Sequence, residues 1–185
     1  MKKLLMVFAA VLLVCGIAAA AETEKKAEGE KGKAEKKLLM NFAKGDEFNN
    51  GGECSLSEEH ITGKEKYRMK VIGSTGVNGA RKNVDWSKFN YLVFNAFVAG
   101  DKPITGMLLI GDKSSYAKWS RNYVEINLTL KPGENKDVHI NIEGLYSSYA
   151  SRALEMTNIQ CFQFYFGDQK PEIYFGNLYL AYEEE

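Results

Sequence analysis

Tyr123-Val124-Glu125-Ile126-Asn127-Leu128-Thr129-Leu130, then Lys131-Pro132-Gly133, then Val138-His139-Ile140-Asn141-Ile142 is the stretch on which the fold turns. Successive side chains of an extended chain point to opposite faces. Val124, Ile126, Leu128 and Leu130 therefore fall on one face, and Tyr123, Glu125, Asn127 and Thr129 on the other. Pro132-Gly133 reads as a turn. Val138, Ile140 and Ile142 then alternate with His139, Asn141 and Glu143. Two half-buried strands joined by a turn predict an antiparallel pair rather than a helix.

Working outward, the same grammar recurs. Ile159 to Phe166 sets Phe162, Phe164 and Phe166 on one face, and Cys161, Gln163 and Tyr165 on the other. Tyr67, Met69 and Val71 alternate with Arg68 and Lys70. Tyr91 to Val98 is apolar on both sides, as in a central strand. Thr105 to Ile110 follows the turn Asp101-Lys102-Pro103. Leu38 to Phe42, Cys54 to Ile61 and Ile173 to Tyr182 complete about nine strands, and only Tyr146 to Met156 reads as a short helix. The pattern predicts an all-β protein, an antiparallel β-sandwich, with Leu92, Phe94, Val124, Ile126, Leu128, Val138, Ile140, Phe162, Phe164 and Phe166 in its core.

Residues 1–21 read as a secretory signal. Lys2 and Lys3 are followed by an apolar run, Leu4 to Ile17, and by the small residues Ala18 to Ala21. That run is short of the roughly 20 residues a membrane span needs, and no long apolar stretch follows it. Cys15 would be the anchor of a lipoprotein, but Val14 stands where lipoprotein processing prefers a small residue. Residues 22–37 are almost entirely Glu, Lys, Ala and Gly and read as a solvated tether. Residues 38–185 then form one domain, with secreted or periplasmic localisation expected. A formal net charge of zero gives nucleic acid no electrostatic footprint. Of the cysteines beyond the signal, Cys54 and Cys161 either form a disulfide, worth roughly 3–5 kcal/mol across so long a loop, or stay as two separately buried thiols. Asn127-Leu128-Thr129 matches a glycosylation sequon, but its mid-strand position reads as chance.

Several segments, in order, resemble the jelly-roll, galactose-binding-like domains of carbohydrate-binding modules. They are Leu38 to Ala43, Ser55 to Val71 with Thr62-Gly63-Lys64 at its centre, Asp85-Trp86-Ser87-Lys88-Phe89 running on to Phe97, Leu130 to Ile142, and Met156 to Phe166 with Ile173 to Leu180. The resemblance implies a jelly-roll sandwich and a poly- or oligosaccharide partner, and makes Trp86 a packing residue. It also implies a structural Ca2+ held by a Glu after the first strand's Phe and an Asp in the last strand. Here those positions are Ala43 and Gly176, which removes two hard oxygen ligands. Asp46 or Glu47 with backbone carbonyls is the remaining source of such a site, and no other cofactor is expected.

A sugar site combines aromatic rings with planar polar groups that bond hydroxyls. Outward positions supply Tyr123, Glu125, Gln163, Tyr165 and Asn95, while Trp119 lies in a polar loop with Arg121 and Tyr116. If their strands share a sheet, Asn95, Trp119, Tyr123, Glu125, Gln163 and Tyr165 line one ligand face. Each has a plainer reading as an edge, solvated or core side chain. Enzyme motifs are missing. The chain has only two histidines, His60 and His139, and lacks a nucleophile elbow, a phosphate loop and a Cys/His metal spacing. The expectation is a non-catalytic carbohydrate-binding protein. The alternative is an envelope structural or protein-interaction sandwich that binds no sugar.

Overall fold

The computed structural model describes residues 35–48, 53–79, 84–117, 122–147 and 149–184. Trp119, Arg121 and the segments read as signal and tether up to residue 34 lie outside these. Residues 35–183 form one compact unit. Its strands are β1 (Glu35–Met40), β2 (Glu53–Ser57), β3 (Arg68–Ile72), β4 (Gly76–Asn78), β5 (Tyr91–Val98), β6 (Ile104–Asp112), β7 (Val124–Leu130), β8 (Gly133–Asn141), β9 (Tyr146–Ser147), β10 (Arg152–Ala153), β11 (Ile159–Tyr165), β12 (Glu172–Phe175) and β13 (Leu178–Tyr182). A short helix, α1, spans Lys113–Ala117.

The strands build an antiparallel sandwich. A seven-stranded sheet runs β1-β13-β5-β12-β3-β2, with β8 also paired to β5, and a four-stranded sheet runs β4-β11-β6-β7. Between them lies a core that joins Phe94 and Phe175 of the larger sheet to Phe162 and Phe164 of the smaller one. The Phe164 ring lies 5.3 Å from Phe94 and 5.0 Å from Phe175, and Phe48 meets Phe175 edge-on at 5.2 Å. Such offset and edge contacts add roughly 0.5–1.5 kcal/mol each beyond burial. Of the expected core residues, Leu92, Phe94, Val124, Leu128, Ile140, Phe162, Phe164 and Phe166 are buried. Ile126 and Val138 are only partly buried and pack against the cluster. Trp86 is buried among these residues, beside Phe162.

Three readings need correction, and one strand was not foreseen. Tyr146 to Met156 is not helical: Tyr146-Ser147 pairs with Arg152-Ala153 as a tiny ribbon. Leu145 and Ser147 are buried while Tyr146 is exposed, a strand's alternation too short to register in the sequence. Ile173 to Tyr182 is two strands rather than one, parted at Gly176-Asn177. Gly76–Asn78, which has only one apolar residue, is a strand because it pairs with β11. Finally, β1 begins at Glu35, inside the stretch read as tether, since backbone pairing of Glu35 with Tyr182 and Lys36 with Ala181 needs no apolar side chain.

Candidate functional site

The four-stranded sheet turns Val77, Phe162, Phe164, Leu108, Ile110, Val124 and Leu128 inward. Alternation forces the intervening residues outward. Register then sets them in rows. Asn78 of β4 pairs with Gln163 of β11, Gln163 with Leu109 of β6, and Leu109 with Glu125 of β7. The adjacent row is Gly76, Tyr165, Met107 and Asn127. The result is a polar strip with an apolar floor. Leu109 is 6% exposed yet belongs to no part of the core cluster. The side chains of Asn78, Gln163 and Asn127 make no hydrogen bond to another described residue, so their amides keep donors and acceptors for a ligand.

Two tyrosines flank the strip. Tyr165, 38% exposed, borders a recess of about 300 Å³ shared with Thr105, Met107 and Asn127. Tyr123 sits at the other end, its ring 6.2 Å from that of Tyr149. Burial, followed by the Glu125 charge and a hydrogen bond to that carboxylate, raises the Tyr123 pKa. The phenol therefore stays protonated and can donate to the Glu125 carboxylate. At Gly76 a Cβ would meet the Phe164 carbonyl oxygen at 2.7 Å and the Gln163 amide nitrogen at 3.1 Å, so only glycine lets β4 lie this close to Gln163.

Beneath the rim of this face, Asp112 closes β6. Its carboxylate accepts from both terminal nitrogens of Arg152 at 2.6 and 2.7 Å, and from the amides of Ser115 and Glu155, both at 2.9 Å. Burial alone would raise its pKa; the Arg152 guanidinium and these donors together outweigh that and hold it well below the usual carboxylate range. The arrangement is an anchor for β10 and the loop after it.

Tyr123, Glu125, Gln163 and Tyr165 thus share one face. Asn95 does not join them. It lies on β5 in the seven-stranded sheet, and two sheets packed core-to-core turn their outer faces in opposite directions. Its Oδ1 accepts from the Asp137 amide at 2.8 Å. Trp119 lies outside the described residues. Asn78, Asn127 and Tyr149 were not among the residues nominated for the site from the sequence. Asn127 carried the right alternation signal, whereas Asn78 needed the pairing of β4 to place it.

The disulfide reading is also corrected: Cys54 and Cys161 are free thiols on different sheets. Burial and the nearby Asp112 charge push the Cys161 thiol up to about 11, and burial with the Glu47 charge raises Cys54. The calcium positions do not fit the metal. Ala43 offers no side-chain oxygen, and a Cβ at Gly176 would come within 2.2 Å of Glu65 Oε1. That carboxylate is already engaged by the Asn177 amide and by Arg68. Among the described residues, no group of three or more His, Cys, Asp or Glu is placed to hold a metal ion, and no helix is long and apolar enough to cross a membrane.

No family model matches the sequence, and no curated protein matches it. Solved structures do. A family 11 carbohydrate-binding module of the cellulosomal cellulase Lic26A-Cel5E of Clostridium thermocellum superposes with a TM-score of 0.57 at 17% identity, over 81% of this chain and 95% of that one. The module CtCBM11 in solution gives 0.59 at 18% identity, over 85% of this chain and 99% of that one. An exo-β-agarase gives 0.53 at 12% identity, over 76% of this chain but 24% of the enzyme. At such identities the likeness shows the fold alone, an antiparallel β-sandwich similar to that of these modules.

Proposed function

We propose that this chain is an exported, non-catalytic carbohydrate-binding protein, with the outer face of the four-stranded sheet as its glycan site. One observation carries the reading: Asn78, Gln163 and Glu125 stand in register across the sheet with Leu109 among them, bordered by Tyr165 and Tyr123. Amides both donate to and accept from hydroxyls, and a carboxylate accepts. Tyrosine rings offer an apolar surface to the C–H face of a pyranose. The groups ride on paired strands, so little ordering cost falls on binding. The structural neighbours include modules named as carbohydrate-binding, which agrees with a carbohydrate-binding role.

Export rests on Lys2-Lys3, Leu4 to Ile17 and Ala18 to Ala21, and puts the domain outside the cell or in the periplasm. A protein-contact role is favoured by one feature, Leu56, 50% exposed on β2 at the open edge of the larger sheet. A glycan array on the mature domain, repeated with Gln163→Ala and Glu125→Gln, decides. The sugar reading requires binding that both variants weaken while melting is unchanged. Absence of binding to any glycan overturns it in favour of the protein-contact role. Release of new reducing ends from a bound glycan would overturn the non-catalytic part.

A further inference from the structure

The opposite face of the sandwich holds a second cleft. Residues 58–67, between β2 and β3, fold back over the seven-stranded sheet. His60 stacks on Phe97 with centroids 3.5 Å apart and planes 6° from parallel. Beneath the loop, Arg68 is fully buried and bonds Glu65, Glu134 and Thr62. Across the sheet, β8 carries a bulge opposite Asn95, with Asp137 in the left-handed region at φ 46°. A bulge re-aims side chains, and here it brings Lys136 and Asp137 to the wall of a cleft of about 380 Å³, within the range of small-ligand sites.

The lining has a definite chemistry. Asn95 and Asn177 each spend their side-chain oxygen on a backbone amide, of Asp137 and Phe42 respectively, and their NH2 groups meet no acceptor among the described residues. Lys64 and Lys136 form no ion pair with a described residue. The Asp137 carboxylate supplies an acceptor, and the half-buried Tyr179 ring forms an apolar wall. An anion would face Asp137 and Glu65; a cation would face the two lysines. A ligand whose groups both donate and accept, and which offers a ring to Tyr179, satisfies the whole set.

We propose that this cleft is a second binding site, for a neutral hydroxyl-bearing saccharide. The consequence that one domain holds two glycan chains on opposite faces rests on the site proposed above for the four-stranded sheet.

The test is an amide-resolved NMR titration of the mature chain with neutral tetrasaccharides of glucose, galactose and xylose, and with tetragalacturonate as the charged control. Saturable shifts at Asn95, Asn177 and Tyr179 with a neutral probe are expected. Asn95→Asp keeps the acceptor for the Asp137 amide but loses the NH2 donor, and should weaken these shifts about tenfold. Lys136→Ala should do so with no loss of melting temperature, and Gln163→Ala should leave them unchanged. Shifts confined to Gln163 and Tyr165 would overturn the second site and leave the first standing; shifts confined to the cleft would do the reverse. No saturable shift at the cleft with any neutral probe, or response there to galacturonate alone, overturns the proposal.

Discussion

At the residue scale, the face separates binding from stability. Glu125 is exposed and its partner is the Tyr123 hydroxyl, so Glu125→Gln removes a charged acceptor without opening the core. It should weaken glycan binding by roughly 1.5–3 kcal/mol, tenfold or more. Its folding stability should stay within about 0.5 kcal/mol of wild type, as paired titration calorimetry and thermal melts would show. Cys161 behaves oppositely. With its thiol pushed up to about 11, almost none is thiolate at pH 8, and nucleophilicity belongs to the thiolate. Alkylation of the native protein should be slow at Cys161 and fast in denaturant, where mass spectrometry should count Cys54 and Cys161 as two free thiols.

Elements are held by points where one residue serves two strands. Gly76 is such a point: Gly76→Ala would set a methyl 2.7 Å from the Phe164 carbonyl, which is backbone and cannot swing aside. We expect a loss of about 1–3 kcal/mol in urea unfolding, together with altered shifts at Asn78 and Gln163 as β4 moves away from β11. Asp112 is another, tying the end of β6 to Arg152 on β10, with its carboxylate 1% exposed. Its folded pKa lies below the unfolded value of about 3.9. The stability it contributes is therefore fully present above about pH 5, and is lost as pH falls through 4 toward the lower folded value. Asp112→Asn should cost about 3 kcal/mol at pH 7, with the gap to wild type narrowing below about pH 4 in a series of denaturant melts.

For the whole molecule, cooperativity runs through the aromatic cluster that both sheets share. Phe164 is fully buried and contacts Phe94 and Phe175 of the opposite sheet, Phe48 of the segment between β1 and β2, and Phe162 of its own strand. Phe164→Ala should destabilise by roughly 3–5 kcal/mol. Because the ring bridges the layers, far-ultraviolet circular dichroism and intrinsic fluorescence should still report one coincident transition, only earlier. Two separated transitions would show that the sheets melt independently.

Alternation made most of this legible in advance. The period of two in Tyr123 to Leu130 and in Ile159 to Phe166 assigned inner and outer faces, because burying one face of a strand fixes which side chains turn outward. Glu125, Gln163 and Tyr165 could be nominated on that basis alone. Periodicity within one strand carries no information about which sheet the strand joins. Asn95 alternates just as Gln163 does, yet only the pairing of β5 with β8, β12 and β13 puts it on the opposite face. Asn78 had too short a strand to announce itself, and the cysteines could be tested as a pair only once each strand had a sheet. The cleft around Asn95 and Tyr179 depends on a bulge and on a loop folded over the larger sheet. These are set by Arg68, Glu65, Glu134 and Asn177 meeting across distant parts of the chain, and contacts between distant residues are what only the tertiary structure decides.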